Sequence, residues 1–307
     1  ATELGLDSNA SFQKELAGYR KQLARPYLID TELLDELIKE AYKRKQEEVR
    51  ASHILIKVGP NDSPADTLRA YERTMRLRER IMNGTDFNTV ARAKDGSEDP
   101  SAQDNGGDLG FFTAFQMVYP FEEAAYKLEV GEVSLPVRTR YGYHLLKVTD
   151  RRPARGEVLA AHIMVRMGEK SNAEQMQKAE VKINEIHALL QQGNDFSELA
   201  IKYSEDASTA QKGGELPWFG TGKMVEEFEN TAFALTENGQ FSEPFRSPYG
   251  WHIVKRIDYK PIPSFDSVKG ELKNKISRDT RSEMTKKSFL VKLKKEYNVQ
   301  VYSIALK

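Results

Sequence analysis

The sequence carries one long pattern twice, and no other feature constrains its fold as strongly. Ala-Ser-His53-Ile-Leu-Ile returns as Ala-Ala-His162-Ile-Met-Val. Ser97-Glu98-Asp99, followed by Asn105-Gly106-Gly107-Asp108-Leu109, returns as Ser204-Glu205-Asp206 followed by Lys212-Gly213-Gly214-Glu215-Leu216. Met117 and Phe121 return as Met224 and Phe228, and Tyr141-Gly142-Tyr143-His144 as Tyr249-Gly250-Trp251-His252. The offsets of these four blocks are 109, 107, 107 and 108 residues, so the copies are collinear almost without gaps. Solenoid repeats run at roughly 20–50 residues, so a period this long marks a duplicated globular domain.

The copies span residues 49–150 and 157–259. Arg151-Arg152-Pro153-Ala154-Arg155-Gly156 forms a short polar link that is expected to let neighbouring parts move. Residues 1–48 read as helix, with an apolar stripe of period 3.6 through Leu33, Leu34, Leu37, Ile38, Ala41 and Tyr42. Thr31 is a candidate cap for that helix. After Pro261 and Pro263, residues 264–307 return to helical spacing through Phe265, Val268, Leu272 and Ile276, then Phe289, Leu290 and Leu293. Each terminal segment offers one apolar stripe, so the two are expected to bury those stripes together in one helical module.

Within each copy the elements alternate. Ser52–Val58 reads as a buried strand, 65–82 and 87–94 as helices, Asp108–Phe111 as a short strand, 120–127 as a helix, Leu135–Thr139 as extended and Gly142–Thr149 as a closing strand. Asp195 and Glu198 have capping-box spacing at the start of a helix. The fold class is therefore α+β: two small, mostly antiparallel sheets with helices against them, flanked by terminal helical segments.

Composition excludes several classes. Net charge is zero and the pI is about 7.2, which gives no bulk attraction to nucleic acid. No run approaches the roughly 18 apolar residues of a membrane span. With no cysteine, disulfides, thiolate metal sites and cysteine nucleophiles are absent, a composition that suits an oxidising compartment. The chain opens on Ala-Thr-Glu-Leu with no methionine or signal-like run, as expected of a fragment without its targeting segment.

Of the five histidines, four occupy paired positions: His53 with His144, and His162 with His252. One of each pair lies on the first strand of its copy and one on the last. If those strands are neighbours, the imidazoles meet across the sheet. The competing reading is of buried, hydrogen-bonded residues that merely specify the core. His187 has no counterpart and reads as a helix-surface residue. Two imidazoles and one carboxylate per copy lack the helical spacing or cysteine partners of common zinc sites, so no metal or cofactor is expected.

The ordered set His-Ile-Leu-Ile, Ser-Glu-Asp, Gly-Gly-Asp-Leu-Gly, Met, Phe and Gly-Tyr-His resembles the parvulin family of peptidyl-prolyl cis/trans isomerases over essentially all of both copies. Two such units between helical segments are similar to the SurA-type periplasmic foldases. The resemblance implies one site per unit. His53, Asp99 and His144 would form the polar set of the first, with Leu109, Met117 and Phe121 around the proline ring. In the second unit the same roles fall on His162, Asp206, His252, Leu216, Met224 and Phe228. Val118 and Val225 stand where many relatives carry glutamine, and Pro217 replaces Gly110. The Trp251-His252 ending resembles the more active unit of two-unit foldases, so the second site is expected to be slightly the faster.

These residue types suit the reaction. Turning an X-Pro bond breaks no covalent bond and costs amide resonance, a barrier of roughly 18–20 kcal/mol. A catalyst must bind the twisted amide better than either planar form. An apolar pocket can grip the ring while a fixed hydrogen-bond network orients the surroundings. We favour that orienting role for Asp99 and Asp206 over nucleophilic attack. Relatives that need a phosphorylated residue before proline carry a basic cluster after the first strand. Here Lys57-Val58-Gly59-Pro60-Asn61-Asp62-Ser63 holds one lysine, and in Arg166-Met167-Gly168-Glu169-Lys170 the acid offsets a base. The expected partners are unfolded or extended proline-containing polypeptides, outer-membrane protein precursors among them, handled without phosphorylation in the periplasm. The rival class is a chaperone that uses the same folds as peptide clamps. Residues 260–307, with twelve Lys/Arg against five Asp/Glu around apolar stripes, suit it.

Overall fold

The computed structural model describes residues 9–24, 27–168 and 172–298. Glu169 and Lys170, and the ends of both terminal segments, lie outside the described residues. Two compact units emerge. Residues before Arg44 join those from Phe265 onward in one, and Arg44–Ser264, which holds both copies of the repeat, forms the other.

In the tandem unit, β1 (Glu47–Lys57) is followed by α3 (Pro64–Met82), α4 (Phe87–Arg92), α5 (Ala102–Asn105), β2 (Asp108–Phe112), α6 (Tyr119–Lys127), β3 (Val137–Thr139) and β4 (Gly142–Pro153). The strands form an antiparallel sheet in the order β2-β1-β4-β3. The second copy runs β5 (Glu157–Arg166), α7 (Ala173–Gln191), α8 (Phe196–Tyr203), α9 (Glu226–Ala234), β6 (Phe245–Ser247) and β7 (Gly250–Lys260), with sheet order β5-β7-β6. The period-2 alternation of strand side chains separates two layers. Ile54, Ile56, Val58 and Leu145 face α3 and α4. Val49, Ala51, Leu146 and Val148 face Phe121, Ala125 and Leu128 of the α6 segment. The second sheet divides in the same way. Both copies carry a register shift at one place, between Arg50 and Ala51 and between Leu159 and Ala160.

Several expectations need correction. The segment Glu215–Phe219, the counterpart of β2, makes only two isolated bridges, Ala161 with Glu215 and Val158 with Phe219. Pro217 stands between them, where Gly110 of the first copy donates its N–H to Asp108 Oδ1 and not to β1. The first strand begins at Glu47 rather than Ser52, and β4 runs to Pro153. Arg151 and Arg152 are therefore sheet residues, not a mobile link. Arg151 donates to Glu47 and to the carbonyls of Ala125, Tyr126 and Leu128 at the end of α6, a helix C-terminus capped by a cation. His187 lies on the buried stripe of α7 with Ile183, Ile186 and Leu190, edge-on to Phe241.

In the other unit, the N-terminal segment is two helices, α1 (Ala10–Ala24) and α2 (Thr31–Lys45). Asp30, not Thr31, caps α2: its carboxylate accepts from Leu33 N–H at 3.2 Å. The same carboxylate accepts from Ser288 and Lys292 of α11 (Arg281–Glu296), and those two bonds hold it at about 2. Tyr42 meets Phe265, the first residue of α10 (Phe265–Ser277), edge-on at 5.3 Å. Leu34, Leu37, Ile38 and Ala41 are buried, as are Val268, Leu272 and Ile276. The expected pairing of terminal stripes therefore forms through α2. By contrast, α1 buries nothing and exposes Phe12, Tyr19 and Leu23, and Leu290 of α11 is also exposed.

Candidate active sites

The register of the central strands brings each histidine pair together. His53 stands opposite Leu146 and Leu55 opposite His144, so the two imidazoles are diagonal neighbours on one face. His162 opposite Val254 and Met164 opposite His252 repeat the relation. All four histidines are buried. Their position is fixed from behind by the glycine bends: His53 N–H donates to Gly107 O at 2.8 Å, and His162 N–H to Gly214 O at 2.9 Å.

In the first copy a continuous chain of hydrogen bonds results. His53 Nε2 lies 2.8 Å from Asp99 Oδ2, the two Nδ1 atoms of His53 and His144 are 3.3 Å apart, and Thr139 Oγ1 is 2.8 Å from His144 Nε2. Burial pushes Asp99 up, but bonds from Ser101 and His53 outweigh it and keep the carboxyl below its ordinary value. An ionised Asp99 fixes every proton in the chain. His53 Nε2–H donates to Asp99, His144 Nδ1–H donates to His53 Nδ1, and the Thr139 hydroxyl donates to His144 Nε2. The phenyl ring of Phe121 stands edge-on to both imidazoles, at 5.8 and 5.4 Å. Leu109 and Met117 are half-buried against the cluster that contains Phe121.

The second copy keeps the plan with one change. His162 Nε2 lies 2.9 Å from Asp206 Oδ2, and the Ser247 hydroxyl is hydrogen-bonded to His252 Nε2 at 2.7 Å. Asp206 also accepts from the Thr209 hydroxyl at 2.5 Å and from Ser208. Those bonds and His162 overcome its burial and set the carboxyl well below the usual range. Phe228 is edge-on to His162 and His252 at 5.5 and 5.6 Å, with Leu216 and Met224 beside it. The imidazoles stack 5.8 Å apart, but neither Nδ1 has a partner.

Thus all twelve residues singled out from the sequence gather into two like clusters. Sequence reasoning missed Thr139 and Ser247, although a hydroxyl residue five positions before the last histidine recurs in both copies. It also missed Thr209, Ser101 and Ser208, which orient the aspartates. Among the described residues no group of three or more His, Cys, Asp or Glu is arranged to hold a metal.

Burial lowers all four imidazoles, and His144 and His252, each also beside another imidazole, fall to about 4. Both networks therefore hold neutral imidazoles against ionised carboxylates at neutral pH. Depressed folded-state values mean that the unfolded chain binds more protons below about 6.5. The stability from neutral burial is fully present above that pH and is lost as pH falls toward about 4. The expected loss is at most about 1.4 kcal/mol per pH unit for each histidine. Denaturant unfolding between pH 7 and 4.5, together with imidazole NMR titrations, checks this. Midpoints near 6.5 for His144 and His252 would contradict it.

Two family models, both described as the PPIC-type PPIase domain, match residues 36–152 and 162–258. The chain is similar to the chaperone SurA of Alkalilimnicola ehrlichii, at 37% identity over 73% of this chain and 52% of that protein. It is also similar to the chaperone SurA of Hahella chejuensis, at 31% identity over 87% of this chain and 62% of that protein. Among solved structures, the peptidyl-prolyl isomerase PrsA from Bacillus anthracis matches at 32% identity, covering 48% of this chain and 62% of that one, with a TM-score of 0.31. The chain spans little more than half the length of the curated relatives it matches.

Proposed function

Because this chain belongs to the PPIC-type peptidyl-prolyl isomerase family, with two of its domains in tandem, we propose that it catalyses cis/trans isomerisation of X-Pro bonds in extended polypeptides and so assists the folding of exported proteins. The observation that carries the reading is the pair of phenylalanines, each edge-on to two buried imidazoles and flanked by a leucine and a methionine. A proline ring seated against Phe121 or Phe228 leaves the preceding carbonyl free to turn. Around Phe121 a network with its protons already placed need not reorganise as the amide loses planarity. Leu109, Met117 and Phe121, and Leu216, Met224 and Phe228, bind the ring. The histidines, aspartates and their hydroxyl partners hold the floor of the site, and Asp99 and Asp206 orient rather than attack.

The rim supports substrates without phosphate. After β1, Asp62 accepts from Gly59 N–H at 2.6 Å, which places a carboxylate in the loop where a phosphate clamp would stand. The guanidinium of Arg138 is already engaged by the carbonyls of Val58 and Gly59, each at 2.9 Å. Likeness to chaperones named SurA supports a periplasmic location and unfolded clients, outer-membrane precursors among them. The same likeness favours a second reading, in which the domains clamp X-Pro segments without turning them. NMR exchange spectroscopy with the whole chain and a matched peptide pair separates these. The expected result is accelerated exchange of the unphosphorylated peptide at substoichiometric protein and no gain from phosphorylation. Binding with no acceleration would leave only the clamp.

A further inference from the structure

Each pocket loop in the tandem unit is held by a buried glutamate one position after the pocket phenylalanine. Glu122 accepts from Phe115 N–H at 2.8 Å and pairs with Arg44 at 3.0 Å. Glu229 accepts from Lys223 N–H and Met224 N–H at 2.8 and 3.0 Å and pairs with Arg155 at 3.1 Å. In both copies the arginine comes from the chain just ahead of the first strand. The second arginine does not stand alone. Glu48, buried in β1 of the first copy, accepts from Arg155 N–H at 3.1 Å, from Arg152 at 2.7 Å and from the Thr221 hydroxyl at 2.6 Å. Arg155 also donates to Thr221 at 3.2 Å. Thr221 opens the loop that carries Met224, and its carbonyl accepts from Gln116, the residue before Met117, at 2.7 Å.

We infer that Glu48 of the first repeat is a positioning residue for the proline pocket of the second, acting through Arg155 and Thr221 on the loop that carries Met224. The inference rests on the isomerase reading of that pocket. Glu229 can hold two backbone N–H groups in one geometry only while its charge is balanced, and Arg155 supplies the balance. Arg155 is in turn held by Glu48, which accepts its backbone N–H at 3.1 Å and stands 3.7 Å from its Nε. Without Glu48, the Arg152 guanidinium and the Arg155 N–H lose their shared carboxylate, and the Thr221 hydroxyl loses its acceptor. Buried networks of this kind fail as a unit, because each member left unsatisfied is costly. The second site is therefore completed by the first copy, whereas the first draws its arginine from Arg44.

The test uses the full chain in two backgrounds. Phe121→Ala weakens the first site and Phe228→Ala the second, so the other site carries most of the exchange. In the Phe121→Ala background, Glu48→Ala is expected to raise KM for an X-Pro peptide about tenfold with a much smaller change in kcat. Thr221→Val, which deletes only a hydroxyl, is expected to do the same to a lesser degree and covers the case in which Glu48→Ala fails to fold. Glu48→Gln keeps an acceptor and should restore part of the loss. In the Phe228→Ala background the same changes should leave kcat and KM within about twofold. Amide hydrogen exchange at Lys223 and Met224 gives a readout independent of catalysis, and protection there should fall in Glu48→Ala and Thr221→Val. Equal effects on both sites, or undiminished protection at those two amides, would overturn the inference. If the unaltered chain fails to catalyse exchange, the isomerase reading falls and the amides alone decide whether Glu48 positions the loop.

Discussion

Alanine at both Phe121 and Phe228 is expected to remove most of the catalysed exchange. Each ring is buried, closes its pocket and contacts two imidazoles edge-on. Losing one such apolar surface costs roughly 1–3 kcal/mol of binding at each site, about 5- to 150-fold in kcat/KM. The contrast is with Asp99→Asn plus Asp206→Asn. Asparagine keeps an oxygen to accept from His53 or His162 and from the neighbouring serines, so a purely orienting carboxylate should be replaceable with substantial activity retained. Exchange spectroscopy on the folded double variants measures both. Complete inactivity of the aspartate double variant would assign the carboxylates a direct part in the chemistry, and full activity of the phenylalanine one would remove them from the pocket.

Alanine at the glycine bends behind the histidines is expected to cost much of the stability. Gly107 and Gly214 have φ of +85° and +81°, and a Cβ on either would lie 2.2 Å from the carbonyl oxygen of His53 or His162. The conformation costs an L-residue roughly 1–2 kcal/mol, and the collision adds more because the atom met is strand backbone. Gly107→Ala or Gly214→Ala should therefore lose about 3 kcal/mol or more and displace the histidine strand. Gly84 and Gly193 are internal controls. Their φ values are +98° and +87°, but open space surrounds the Cβ position, so alanine there should cost only about 1 kcal/mol. Urea unfolding of the four variants compares them. Equal losses would mean that the close approach behind the histidines contributes nothing.

The repeat and the strands were legible because strict alternation on paired strands leaves few other arrangements. The diagonal meeting of His53 with His144 followed from that alternation once the strands were neighbours. What escaped were features that depend on a distant partner. Arg151 and Arg152 read as part of a short polar link, yet Glu47, Glu48 and the end of α6 claim them. Asp30 displaced Thr31 as the cap of α2 because its carboxylate reaches Leu33 N–H and also serves Ser288 and Lys292 from the far end of the chain. His187 was within reach, because its spacing of four from Ile183 places it on the apolar stripe of α7. Thr139 and Ser247 were visible in the repeat itself, at a fixed distance from the last histidine.

Pro217 has a consequence beyond its own copy. A protein whose proposed substrates are extended chains risks capturing them by strand addition at any free sheet edge. On β5 that edge is covered by Glu215–Phe219, held at its two ends by the bridges to Ala161 and Val158. A covering strand would ordinarily present a new edge of its own. Proline at its centre offers no N–H to a further strand, so this cover is a poorer template than a regular strand would be. If the proposed function holds, Pro217 biases extended substrates away from this edge and toward the side-chain pocket.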